Sequence, residues 1–254
     1  MGASREERLS QVFVEFADTL VGDFDVVDLL TTLTLHCVDL FDVRSSGVIL
    51  ADPDGKLHVI GASSEESHEL DIREIQSDQG PCLDCYRTGL LQSVPDLHTE
   101  TRWPRFVPTA RALGYRSIHA LPLRLRDDVI GALNLMRTEP GRLPESDLRS
   151  AQALADMAVV GLFSHRQAAP ADLFADQALA VGTRRSHVER AVGIVAQHRQ
   201  VGTGVAFRVL REHSRRNGVR ISDVAHDIAR GAFDVTALAD LIDSHDGHEG
   251  RETG

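Results

Sequence analysis

Two of the chain's three cysteines stand three residues apart in GPCLDCYRTG, residues 80–89. A C-x-x-C pair serves three chemistries: a metal clip, a thiol–disulfide switch, or sulfur packed into a helix start. A zinc or iron–sulfur site needs about four ligands. Only Cys37 and scattered histidines remain to complete one, so metal is disfavoured. Pro81 after Gly80 opens a helix, because proline at the first turn gives up an N–H that has no partner there. Cys82 then lies in the first turn, where the helix dipole lowers a thiol pKa, and Cys85 lies one turn on along the same side. A redox or thiol sensor and a pair of buried structural thiols both remain open. His119, in a strand-like run, is likewise open between lining a ligand site and being a satisfied sheet histidine.

A second constellation lies downstream. Arg208, Arg211 and Arg215 recur at spacings of three and four, followed at once by Arg216, Asn217 and Arg220. On a helix that spacing converges guanidinium groups on one face and its turn, where they pair with phosphates and stack on unpaired bases. The Asn217 amide can add a contact to a base edge. The alternative is a solvated face with Glu212 as a local partner. Charge distribution bears on the choice: the chain is net −11, but residues 1–179 carry −12, residues 180–233 carry +6 and the tail from Asp234 carries −5. A basic block inside an acidic protein points to a polyanion partner.

The elements that must position these residues follow from periodicity. Leu9, Val12, Phe13, Phe16, Ala17 and Leu20 mark one amphipathic helix. A second runs from a cap at Asp25 through Val26, Leu29, Leu30, Leu33 and Cys37 to Phe41. SSGVILADPDGKLHVIGAS then predicts two strands around a DPDG turn. After a polar helical stretch, Glu65 to Gln76, come the cysteines, a short strand in QSVPDL and an amphipathic piece from Trp103 to Leu113. SIHALPLRL and VIGALNLM form a second hairpin near the sheet centre, and a helix from Pro144 to His165 closes the unit. The expectation is an α+β fold with an antiparallel sheet. The joint falls near Pro170. Beyond it three short helices are expected, Leu179 to Gln197, Thr203 to Arg216 capped by Thr203, and Ser222 to Arg230 capped by Ser222, with Gly202 and Gly218 as stops. The tail from 244 to 254 reads as disordered.

Residues 8–165 resemble a GAF domain, carried by GPCLDCYRTG, VPDL, RWPRF and SIHALPLRLRDDVIGALNL in that order. Residues 173–232 resemble an ANTAR domain, carried by HVERAVGIVAQ, VAFRVLREHSRRNG and ISDVAHDIA. These contain Ala191-x-Gly193, the Ala206–Phe207 pair, and Asn217 followed by Asp223-Val224-Ala225. One position departs from the family: Val192 stands where a lysine is usual, which places a phosphate contact there in doubt. The resemblance implies a GAF-like antiparallel sheet flanked by helices, then an all-α three-helix ANTAR-like module. It implies a signal-responsive transcription antitermination regulator that binds hairpins of a nascent transcript as a homodimer. A small-molecule ligand in the GAF domain is the implied input; no cofactor is named. Cys82 belongs to the resemblance, whereas Cys85 is this chain's own. The long helix ending at His165, continued by Asp172 to Val181, is the element suited to dimer contact, either as a coiled coil or as an ordinary covering helix.

Enzyme signatures are lacking. The chain has no Gly-rich phosphate loop, no nucleophile elbow and no His/Glu metal pair at helical spacing, and His245-x-x-His248 falls in the tail. The signatures of cyclic-nucleotide and bilin-binding GAF domains are not found, so neither catalytic nor metal residues are assigned. The polar start from Met1 to Arg8 and the lack of any long apolar run lead to the expectation of a cytoplasmic chain without membrane contact. A different class of function stays open: a ligand- or redox-sensing GAF protein acting through protein contacts, its helical module used for dimerisation.

Overall fold

The computed structural model describes residues 5–21, 26–52, 54–164, 188, 190–219 and 221–238. The chain divides into two compact units, Met1–Ala178 and Leu179–Gly254.

In the first unit the two expected hairpins form and join in one five-stranded antiparallel sheet. Its strands are β1 (Ser45–Ala51), β2 (Leu57–Ala62), β3 (Gln92–Val94), β4 (Ser117–Leu125) and β5 (Asp128–Arg137), in the order β2-β1-β5-β4-β3. β1, β4 and β5 are nearly continuous apolar runs because helices cover both of their faces. On one face lie α1 (Arg5–Val21), α2 (Val26–Leu40) and α6 (Glu145–Ser164); α2 packs on β1 and β2, and α6 packs on β4. On the other lie α3 (Glu65–Ser77), α4 (Pro81–Thr88) and α5 (Phe106–Ala112). There α3 reaches β1 and β2, and α4 reaches β4 and β5.

This second face carries two apolar clusters. One gathers Leu70, Trp103, Phe106, Tyr115, Ile118 and Met136 with their neighbours, and the other gathers Ile49, Cys82, Leu83, Cys85, Ala120 and Ala132. The amphipathic piece expected from Trp103 is helical only from Phe106. Trp103 instead opens a turn, its carbonyl accepting the Phe106 and Val107 N–H groups, while its indole N–H donates to Asp84 Oδ2 at 3.0 Å.

In the second unit, helix α7 includes residues 190–199, followed by α8 (Thr203–Asn217), α9 (Ile221–Ala229) and a 3₁₀ turn, Val235–Leu238. Ala191, Val195, Ala206, Phe207, Leu210, Val224 and Ala225 are buried and form its core. Gly218 ends α8 at φ +62, where the Val219 N–H closes on the Ser214 carbonyl, the left-handed stop expected there. Both expected caps shift. α8 begins at Thr203 itself, with the Gly202 carbonyl accepting the Ala206 N–H, so Gly202 holds the cap position. α9 begins at Ile221, which places Ser222 inside the helix and buried. The cap at Asp25, the joint at Pro170, the segment Asp172 to Val181, the start of the Leu179 helix and the tail lie outside the described residues.

Candidate functional site

α4 opens with the predicted Gly80-Pro81, but glycine has no side chain to cap the free N–H groups behind it. The cap comes from α3: Glu74 Oε1 accepts the Cys82 N–H at 2.5 Å and the Leu83 N–H at 3.2 Å. Gly80 is obligatory for this arrangement. Its φ is +153, and a Cβ there would lie 2.4 Å from Glu74 Oε1. Asn134 on β5 completes the group, donating from Nδ2 to Asp71 Oδ1 at 2.8 Å and to Glu74 Oε2 at 3.3 Å. Gly47 on β1 stands opposite Asn134, and a Cβ there would meet Asp71 Oδ2 at 1.8 Å. Two carboxyl groups thus lie side by side in the interior. Burial first, then the Asp71 charge, raises the Glu74 pKa well above the ordinary carboxyl value.

This acidic group reverses the expectation for the cysteines. The dipole of α4 was expected to lower the Cys82 pKa, yet burial, followed by the charges of Glu74 and Asp71, raises it well above the usual thiol value. The physical reason is first that burial disfavours the thiolate, and then that the Glu74 carboxyl, which also accepts the Cys82 and Leu83 N–H groups, stands beside the sulfur together with Asp71. Burial likewise pushes Cys85 up to about 12, and Cys37 on α2 up to about 12. All three thiols are free and buried, so none is a ready nucleophile. Among the described residues no group of three His, Cys, Asp or Glu side chains is placed to hold a metal ion.

His119 does not join this interior. Its neighbours Ile118 and Ala120 point into the two clusters beneath α3, α4 and α5, so strand alternation sends His119 to the opposite face. There Nε2 accepts the Leu143 N–H at 3.1 Å, while Nδ1 makes no hydrogen bond. Burial, then Arg137 and Arg142, lowers its pKa to about 4. The ring is a neutral anchor for the chain entering α6.

In the second unit, Arg211 is half-buried on α8, and Arg216 and Asn217 are exposed at its end. Arg216 Nε reaches Glu212 Oε1 at 2.6 Å, the local pairing anticipated for a solvated face. Asn217 Nδ2 donates to the His213 carbonyl at 2.8 Å. Arg220, and the side chains of Arg208 and Arg215, lie outside the described residues. Val192 is half-buried next to fully buried Ala191, whereas Gly193 is exposed. The His213 ring meets Phe233 edge to face, centroids 5.1 Å apart at 85°. Sequence reasoning missed this pair, whose members are twenty residues apart and follow no shared period.

Among the described residues no helix is long and apolar enough to cross a membrane. The GAF domain profile matches residues 25–162, and the ANTAR domain profile matches residues 177–228. No curated protein matches the chain. Among solved structures, one described as the structure of the GAF domain is 15% identical, with 63% of this chain and 90% of that chain covered, at a TM-score of 0.52. The free methionine-R-sulfoxide reductase of Neisseria meningitidis, solved with its substrate, is 20% identical, with 66% and 97% covered, at a TM-score of 0.51. At such identities the likeness concerns the fold, which is the five-stranded sheet with helices on both faces. The chain belongs to the GAF family, its GAF domain followed by an ANTAR domain, and at family level it is a signal-regulated antitermination regulator built from regulatory rather than catalytic domains.

Proposed function

We propose that this chain acts in the cytoplasm as a homodimer that binds two adjacent stem-loops of a nascent transcript and so keeps a terminator hairpin from forming. Arg208, Arg211, Arg215, Arg216 and Arg220 carry the phosphates, and Asn217 contributes to base contact. The GAF unit, residues 8–165, receives the signal, and the helical unit, residues 173–232, delivers it to RNA. The observation that carries this reading is the ANTAR match at 177–228 falling on residues 180–233, a block of net +6 in a chain of net −11. RNA rather than DNA is favoured because arginine and amide side chains suit splayed single-stranded loops. A small molecule is the input favoured over thiol oxidation, since Cys82 and Cys85 are buried and their pKa values are raised.

The test is binding of the full chain to an RNA with two adjacent hairpins, against single-hairpin RNA and duplex DNA, across salt and with reduced or oxidised protein. Selective two-hairpin binding should weaken with salt at a slope of about 0.7 per phosphate contacted. Charge reversal at Arg211, Arg215 and Arg220 should abolish it while leaving folding and dimerisation intact. Oxidation should change nothing. Binding unaffected by the charge reversals would sink the RNA reading and leave the helical unit as a dimerisation bundle.

A further inference from the structure

We propose that the His213–Phe233 ring pair is a stacking platform for one unpaired base of the bound RNA, with the Asn217 side chain reading that base's edge. This rests on the RNA reading above and deepens it by naming the residues that touch a base rather than a phosphate.

The rings come from two elements, His213 from α8 and Phe233 from the turn after α9, and Phe233 lies beyond the segment matched to the family. Phe207 and Leu210 of this unit are buried in its core. His213 and Phe233 are instead both half-exposed. Phe233 meets His213 edge to face and the Asn217 amide lies 3.4 Å from both nitrogens of the His213 ring, so the half-exposed Phe233 ring is the π surface offered to a third planar group. Asn217 stands one turn from His213. Its Nδ2 donates to the His213 carbonyl at 2.8 Å and lies 3.4 Å from both His213 ring nitrogens, so the amide is oriented beside the ring pair. The end of α8 carries the partial negative charge of its carbonyls, which favours a base donor over a phosphate at this spot. Arg216 is held by Glu212 with its side chain 61% exposed, and the Asp234 carboxylate turns back onto the Thr236 N–H and hydroxyl.

The experiment uses the full chain and a two-hairpin RNA carrying 2-aminopurine at each loop position in turn. One position should be quenched on binding by the parent chain. Phe233→Leu, which keeps apolar bulk and removes the ring, should weaken binding roughly ten- to hundredfold and abolish that quench, while Phe233→Tyr stays within about twofold. The salt slope should stay at the parental value in both, because no phosphate contact is lost, whereas charge reversal at Arg211 lowers it. Asn217→Ala, at an exposed position, should relax base preference at the quenched position and leave the quench. Circular dichroism establishes that each variant is folded.

Parent-like affinity of Phe233→Leu with no position quenched overturns the proposal. So does equal weakening by Phe233→Tyr, and so does an altered oligomeric state of Phe233→Leu in sedimentation, which would assign the ring to a protein contact. Absence of RNA binding by the parent chain overturns the RNA reading itself, a result distinguishable from the others.

Discussion

Replacing Glu74 with glutamine should remove a fall in stability that the parent chain shows as pH rises. In the unfolded chain this carboxyl titrates near the ordinary value of 4.5; in the folded chain burial and the neighbouring Asp71 hold its pKa well above that. Once pH exceeds the unfolded value, the unfolded chain has released a proton that the folded chain keeps. The folded state then binds more protons, and stability declines with rising pH by about 1.4 kcal/mol per pH unit until the folded carboxyl pair ionises. Glutamine carries no titratable proton: its oxygen still accepts the Cys82 and Leu83 N–H groups, while its NH₂ faces the Asn134 Nδ2 that Glu74 Oε2 accepts from, a cost that does not vary with pH and so leaves the slope of the difference unchanged. The stability difference between variant and parent should therefore grow in the variant's favour by about 1.4 kcal/mol per unit above about pH 5. Taking the difference cancels His119 and the surface carboxylates, which titrate alike in both chains. Urea unfolding at a series of pH values reports it through Trp103, the only tryptophan, buried in the same unit. Parallel stability curves for the two chains would refute the assignment of the retained proton to this site.

Three further outcomes are expected. Because the His119 pKa is lowered from 6.5 to about 4, the unfolded chain alone takes up a proton between those values as pH falls, so the parent gains stability as pH rises from 4 to 6.5. At about 1.4 kcal/mol per pH unit this amounts to at most about 3.5 kcal/mol, and His119→Gln, which keeps an acceptor for Leu143, should flatten it in the same urea assay. Gly80→Ala forces a Cβ to within 2.4 Å of Glu74 Oε1 at φ +153, so it should cost about 2 kcal/mol or more in urea unfolding; a parental midpoint would contradict the close approach. With pKa values near 12, only about one in ten thousand Cys37 or Cys85 thiols is ionised at pH 8. Ellman's reagent should therefore modify the native chain far more slowly than the urea-unfolded chain, and a fast native phase would restore the redox-sensor reading.

Much of the architecture was legible before any coordinates. The apolar runs around DPDG, and SIHALPLRL followed by VIGALNLM, predicted the two hairpins that became the core of the sheet. The three-and-four spacing of Leu29, Leu30, Leu33 and Cys37 predicted α2. The start of α4 at Pro81 was equally plain. Less legible was the job of single polar residues. Glu74 reads as one more charge in the polar stretch 65–76, and Ser222 reads as a cap although it is buried one residue inside its helix.

The sequence by itself determined where helices, strands and stops lie, because those follow from side-chain period, proline and glycine, all local properties. It also determined that residues 180–233 carry net +6 in a chain of net −11, since a charge count needs no coordinates. Tertiary structure alone decided what the chemistry-bearing residues can do. Glu74 meets its N–H donors eight and nine residues away and its Asn134 partner sixty residues away. That meeting, with the burial around it, turns Cys82 from a thiol activated at a helix start into one held protonated. The direction of a pKa shift depends on the solvent and charge a fold places around a group, and no spacing of letters along the chain encodes that surrounding.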